Sequence, residues 1–464
     1  MKKHALIDPL CLILLSLISI NICTPIVTAQ QDDLILEAEE YLQSQLIRTQ
    51  SYVDEDGKVT SDFGAQNIFR GTALLGQLVI GIHIGLVDSP SLLLLNLIAN
   101  YVNTNIPQKI LNLSPSSLTG DDVLMMGATS DFLAGHYALT NSDLSRENLL
   151  EVADYLTQQL GWSPLNSRLF VFTNAFRIEQ LTGVTIPKQD VEEAISDLLD
   201  HQIDFVDYSL LDPINFPICL NILSVLYRAT LEAQVSVPTE VIALWDVYRN
   251  YTLTDLITIP KTPTHYSSNL QYLSSLIEAL EISNDPQTLQ EAQTLTADLL
   301  SIWQSGERLI RQPFSPFEVY PYDPALNYTK IAQDAQNGEI VWKIDLKLAS
   351  LANRLADHSQ SNTNLKEEFK SKNNFALNKV LQEDYFPIYE SGTLITEGFV
   401  DRMESTAFIS EWLARSRLQE RIPSELLALQ PLNIPISLIA SATIMIILGL
   451  LYSRGILFSK KEED

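Results

Sequence analysis

The feature that most narrows what this chain can become is a helix-turn-helix rhythm that recurs with changing residues. Leu289, Ala292, Thr296, Leu299 and Trp303 fall at steps of three and four, so they share one stripe of a helix. Leu273, Leu276, Ile277 and Leu280 give the segment before it the same kind of face. Between them "SNDPQT" supplies Asp285 as an N-cap and Pro286 at the first helical position, where its missing N–H costs nothing. Two further stretches, "GHYALTNSDLSRENLLEVADYLTQQLGW" and "FRIEQLTGVTIPKQDVEEAISDLLDHQ", repeat the scheme. In each, a helix ending in Leu-Thr meets a polar turn and then an aliphatic residue three places before an alanine: Leu150 with Ala153, Val191 with Ala194, Leu289 with Ala292 in the first case. Alternation at period two is scarce. The expectation is an all-α fold of stacked or circularly arranged helix pairs, about six of them.

Helices are predicted over 33–49, 66–86, 90–103, 121–139, 146–160, 166–181, 188–203, 216–232, 238–250, 266–281, 287–304, 340–356, 374–385 and 400–418. Turns after Thr140, Leu181, Leu231 and Glu281 are short, whereas several connections into the next pair are long. One rim of such an assembly is tight and the other is rich in loops.

The ends of the chain carry a different message. "MKKHALIDPLCLILLSLISINICTPIVTAQQ" has two lysines, an apolar run from Leu10 to Ile20 and small or β-branched residues before Gln30, the layout of a signal peptide over 1–29. Asp8 is out of place in such a leader, so an uncleaved first anchor is the alternative. From Glu425 to Arg454 no charge interrupts the sequence, and 435–454 reads as a single transmembrane helix followed by Arg454, Lys460 and Lys461. The basic residues place the tail, 455–464, in the cytosol, and residues 30–420 outside it, joined to the membrane by a proline-broken stalk at 421–434. Ser437, Ser441, Gly449 and Ser453 are small residues at four-residue spacing in the span, a pattern that also occurs at self-associating faces.

A net charge of −27 with no basic stripe excludes nucleic acid as a partner and disfavours anionic lipid surfaces. Of three cysteines, Cys11 and Cys23 fall in the leader, leaving Cys219 inside "FPICLNILSVLY" as a buried hydrophobe with no partner for an internal disulfide. Asn112, Asn250 and Asn327 each begin a glycosylation triplet, in keeping with an extracytoplasmic address.

The strings "LQYLSSLIEALEISNDPQTLQEAQTLTADLLSIW" and "AEEYLQSQLIRTQSYVDEDGKVT" resemble hairpins of the α/α-toroid superfamily, which includes six-hairpin glycosidases, sugar epimerases and prenyltransferase or terpene-cyclase repeats. The resemblance implies an inner and an outer ring of helices around a cavity that opens on the loop-rich rim. Two departures limit it. The Asp-rich signature of the cyclases is absent, with "DEDG" at Asp54 a poor substitute, and no Cys and His set has zinc-ligand spacing.

Within that picture, the entrances of the first helix of each pair face the open rim. They carry Gln66 and Arg70, Asp121 and Asp122, Asn166 and Arg168, Asn215, His265 and Tyr266, and Trp342 with Asp345. Adjacent carboxylates push one pKa up, so Asp121 and Asp122 are candidates for acid and base work, with Asp131 or Asp345 as the partner that glycoside hydrolysis needs across the scissile bond. Gly-Asp-Asp before an apolar run is equally what helix capping selects. The loop "QPFSPFEVYPYDPALNY" offers Glu318, Tyr320, Tyr322 and Asp323 for stacking on a sugar or clamping a peptide, or else pins itself to the domain by its rings. His136, in an apolar helix, reads as a hydrogen-bonded core residue. No phosphate loop, nucleophile elbow or zinc helix is present, and neither metal nor cofactor is expected. The combined expectation is a membrane-anchored binding or structural protein with a glycan or surface-protein ligand; the alternative is a carbohydrate-active enzyme using paired carboxylates, Asp121, Asp122 and Asp345.

Overall fold

The structure, a computed structural model, describes residues 33–63, 65, 67–114, 118–262, 265–283, 285–305, 343–359, 362–382 and 399–421. The segments expected to form a leader, a stalk, a transmembrane span and a tail lie outside these residues, apart from Arg421, as do Gln66, Glu318, Tyr320, Tyr322, Asp323, Asn327 and Trp342. Among the described residues the fold is all-α, without strands; a lone antiparallel bridge joins Val53 and Val59.

Fifteen α-helices follow one another: α1 (33–50), α2 (Ile68–Leu86), α3 (Ser89–Ile106), α4 (Gly120–Thr140), α5 (Asp143–Leu160), α6 (Arg168–Thr182), α7 (Lys188–Asp200), α8 (Gln202–Leu211), α9 (Asn215–Glu232), α10 (Thr239–Thr258), α11 (Tyr266–Leu280), α12 (Pro286–Ser305), α13 (Lys343–His358), α14 (Thr363–Leu381) and α15 (Phe399–Arg421). Local chemistry sets most boundaries. Thr119 and Asp122 form a reciprocal capping box at the start of α4, and Asp285 accepts from the Thr288 N–H at 2.8 Å to start α12. At their other ends α2, α4 and α6 stop on left-handed residues, Val87, Asn141 and Gly183, each returning its N–H to the carbonyl four residues earlier. Asp88 and Ser142 then cap the next helix at once, so the reversal takes two residues.

Three elements differ most from the sequence expectation, and the first, α10, runs to Thr258, eight residues past its predicted end. α8 is an additional short helix with only Phe205 and Ser209 buried, too brief to display a stripe. α14 starts at Thr363, where Asn362 caps it, although "KEEFKSKNN" looks like a charged turn; its narrow buried edge, Phe369, Asn373, Ala376, Leu377 and Val380, suffices because this helix covers the core from outside.

The packing forms a closed circuit. α2 packs on α4, α4 on α6, α6 on α9, α9 on α11, α11 on α13, α13 on α15, and α15 returns to α2. Outside this circuit α3, α5, α7, α10, α12 and α14 each lie against the circuit helix that precedes them. α1 fills the corresponding place on α15: Ala38 and Leu42 share a core with Phe408 and Ile409, and Arg417 pairs with Glu39 at 2.6 Å. The circuit thus holds seven helices with seven outer partners, one pair more than expected, because the first and last described helices form a pair of their own.

The core is an annulus between the two layers. Leu273, Leu276 and Leu280 of α11 meet Leu295, Leu299 and Trp303 of α12, all at most 2 % exposed. Burying each such side chain stabilises the fold by about 1.5–3 kcal/mol relative to exposure. α2 is the one described helix long and apolar enough to cross a membrane, yet most of that stretch is buried among its neighbours, as befits a core helix. It approaches α4 closely through glycine: a Cβ on Gly76 would lie 2.3 Å from the Phe132 ring, and one on Gly135 2.5 Å from Ile80.

Short reversals make each hairpin antiparallel, so all circuit helices begin at one rim and end at the other. The turns at 87–88, 141–142, 183–187, 233–238, 281–285 and 359–362 share the second rim; the longer connections 51–67, 107–119, 161–167, 201–214 and 259–265 share the first.

Candidate functional site

On the faces of the circuit helices that look away from the annular core, polar side chains from several helices meet. On α4, Leu124, Gly127 and Asp131 form one exposed stripe although this helix is surrounded by others, and a Cβ on Gly127 would have nothing within 4 Å. Asp131 is solvent-accessible and also enclosed: desolvation by surrounding protein pushes its carboxyl up to about 6, opposed by Arg177 and by the Asn174 amide. Accessibility and enclosure together describe a side chain in a hollow between the circuit helices.

From Asp131 a chain of polar contacts runs around the ring. Asn174 on α6 donates to Asp131 at 3.1 Å, and Arg177, one turn on, donates to the side-chain oxygens of Asn174 at 3.1 Å and of Asn221 on α9. Opposite, Arg354 of α13 binds Glu278 at 2.8 Å and Glu281 at 2.7 Å, both at the end of α11. Glu281 also takes Arg228 of α9 and, at 3.5 Å, Arg415 of α15. Arg415 in turn pairs with Glu411 at 2.9 Å. Burial alone would raise the Glu281 carboxyl, but Arg354, Arg415 and Arg228 outweigh it and hold it well below the usual carboxylate range; Arg415 and Arg354 do the same for Glu411. Nearer the loop-rich rim, Lys347 reaches the Gln271 side chain at 3.5 Å. Below the charges the ring narrows, with Leu418 of α15 3.8 Å from the Cβ position of Gly183.

This arrangement can hold a hydroxylated or charged small molecule. It offers amide and carboxyl acceptors, guanidinium donors, and one carboxyl group that exchanges its proton near neutral pH. Among the described residues no cluster has the makings of a metal site.

The described rim residues proposed from sequence stand at the starts of the circuit helices, on the loop-rich rim, and are not among these contacts. Asp122 is engaged in the capping box with Thr119, whose backbone and side-chain donors lower its carboxyl, and Asp121 is exposed, 3.8 Å from Arg70. Asp345 is completely buried and accepts from the Tyr266 hydroxyl at 3.0 Å, so it does not share a solvent-lined surface with Asp121. Tyr266 is itself fully buried. Arg168 is locked in a two-pronged pair with Asp154, His265 contacts Thr262, Asn166 caps its own loop by accepting from Ser163, and Asn215 donates to the Tyr208 carbonyl. Asn112 and Asn250 are exposed. The acidic turn at Asp54 folds on itself, with Asp54 accepting from the N–H groups of Asp56 and Lys58.

His136 is buried between Ser145 and Asn96, and desolvation lowers it to about 4. With the Asn96 oxygen as acceptor, Nε2 carries the proton and Nδ1 accepts from Ser145. His83 makes the equivalent contact to Ser91, so two hairpins are pinned alike. Burial pushes the Cys219 thiol far up and leaves it inert.

Arg177, Glu278, Arg354 and Glu411 were not singled out from sequence. Their signal is an isolated arginine or carboxylate inside a largely apolar stretch of a first helix, as in "NAFRIEQL" or "SLANRLADH", where a surface helix carries more charge. No family model, curated protein or solved structure matches this chain.

Proposed function

We propose that this chain is a membrane-tethered, extracytoplasmic binding protein: an α/α toroid of seven helix pairs that takes a small polar ligand in its centre. The observation that carries this reading is the convergence of charged and amide side chains from α4, α6, α9, α11, α13 and α15 inside the circuit, with Asp131 among them exposed to solvent. A purely structural ring gains most by filling its middle with aliphatic side chains, since buried ions cost more desolvation than they return unless they serve another purpose.

The apolar segment 435–454 is the anchor and 1–29 the leader in this reading, and exposed Asn112 and Asn250 are glycan acceptors. The Arg417–Glu39 pair sets the last turns of α15 beside the first turns of α1, at the short-turn rim. A tether following α15 therefore turns the mouth of the hollow away from the membrane.

A second reading, hydrolysis of a glycan, is favoured by Asp131. A carboxyl near pKa 6 at the end of a hollow has the protonation that a general acid requires, and Glu411, held ionised, is the matching kind of base. This reading uses Asp131 in place of Asp121, Asp122 and Asp345.

The test is the full chain in lipid nanodiscs titrated with a panel of neutral, acidic and basic sugars and small metabolites, alongside a Gly127→Trp variant that fills the hollow from a position with open space. Binding by the wild type and its loss in the filled variant are expected. Equal binding by both would refute the central site. Release of reducing ends by the wild type and its loss in Asp131→Asn would favour the enzyme over the receptor.

A further inference from the structure

Arg177 differs from the other arginines of the floor. Arg354, Arg415 and Arg228 each pair with at least two carboxylates. Arg177 donates only to the neutral side-chain oxygens of Asn174 and Asn221, and no carboxylate among the described residues is within ion-pair distance. It stays partly exposed; desolvation by the surrounding helices, opposed by Glu278 and Asp131 and aided by Arg354, lowers its pKa, and a guanidinium keeps its charge at neutral pH. Glu278 and Asp131 act on it only from a distance, so its direct partners are neutral amides, and the guanidinium fork is the side chain best matched to a planar or tetrahedral oxyanion.

We infer that Arg177 anchors an oxyanion of the ligand, a carboxylate or sulfate group entering the hollow from the loop-rich rim. This rests on the reading of the hollow as a binding site. The charged surroundings agree with it. On the hollow side, α4 presents Asp131, α11 Glu278, α13 Arg354 and α15 the Glu411–Arg415 pair, while α2 presents only Gln77, whose amide binds the Ala128 carbonyl. On the opposite side of α6, Arg146 with Asp190 and Glu193, and Arg168 with Asp154, are already matched. Asp131, raised to about 6, ionises near neutrality, and once ionised it competes with the incoming anion for Arg177.

Calorimetric titration of the full chain in zwitterionic nanodiscs tests this, with methyl glucuronide, glucose 6-sulfate and neutral methyl glucoside as probes. The wild type is expected to bind one of the anionic probes at least tenfold tighter than methyl glucoside at pH 5, and the two anions distinguish carboxylate from sulfate recognition. The preference should shrink several-fold by pH 7.5, vanish in Arg177→Gln, and become independent of pH in Asp131→Asn. Arg177→Lys, which keeps charge without the fork, is expected to retain a weakened preference and guards against loss of fold in the glutamine variant. Equal affinity for charged and neutral probes, or a preference that survives in Arg177→Gln, overturns the anchor; if Gly127→Trp still abolishes that binding, the central site stands without it. Failure of the wild type to bind any probe at millimolar concentration counts against both.

Discussion

Glu179 provides the sharpest energetic test of this fold. It lies on α6 at 1 % exposure, and neither carboxyl oxygen has a hydrogen-bond partner among the described residues. Desolvation, then the nearby charges of Asp190 and Glu232, raise it from 4.5 to about 8. The folded chain therefore holds a proton that the unfolded chain releases across that whole interval. Stability is fully present below pH 4.5 and is lost as pH climbs toward 8, at about 1.4 kcal/mol per unit, which amounts to roughly 3 kcal/mol by pH 7. Glu179→Gln removes the titration while keeping the shape. After the cost of a buried amide, about 1–3 kcal/mol, the variant should equal or exceed the wild type at pH 7.5 and fall below it at pH 5. Melting curves of both proteins in the same detergent at pH 5, 6, 7 and 8 provide the comparison. Two parallel curves, with no loss of pH dependence in the variant, would refute the placement of an unpaired carboxyl here.

Three other expectations follow from particular contacts. Val87 sits at φ 54° and is exposed, so Val87→Gly should stabilise the protein by about 1 kcal/mol, read as a higher melting temperature, because a β-branched residue resists the left-handed region. Arg146→Met strands Asp190, whose side chain is 2 % exposed, and should cost about 3 kcal/mol at pH 7 in denaturant titration. Burial raises the Asp190 carboxyl, so this loss should shrink at pH 5, where protonation relieves the stranded charge; an unchanged loss would argue against the pairing. Cys219 should escape iodoacetamide in the native protein and react after unfolding, as mapped by peptide mass.

Much of the fold was legible because its information is local. The stripe from Leu289 to Trp303 and the cap at Asp285 are features of a few adjacent turns, and both occur as the spacing predicts. Asp122 carried both a catalytic and a capping reading, and the latter was decided by residues within three positions of it. α14 was cut short because an outer helix needs only a thin apolar edge, which sparse periodicity understates.

By itself the sequence determined that helices pair, that one rim is tight and the other loose, and which faces of each pair are apolar. Tertiary structure alone decided how many pairs close the ring, since the pairing of α15 with α1 joins residues 378 positions apart. It also decided which charges matter. Asp131, Arg177, Arg354 and Glu411 look ordinary one helix at a time, and their shifted proton affinities arise only when separate helices enclose them together. A helical period reports direction around its own axis, whereas desolvation and charge pairing depend on what stands opposite.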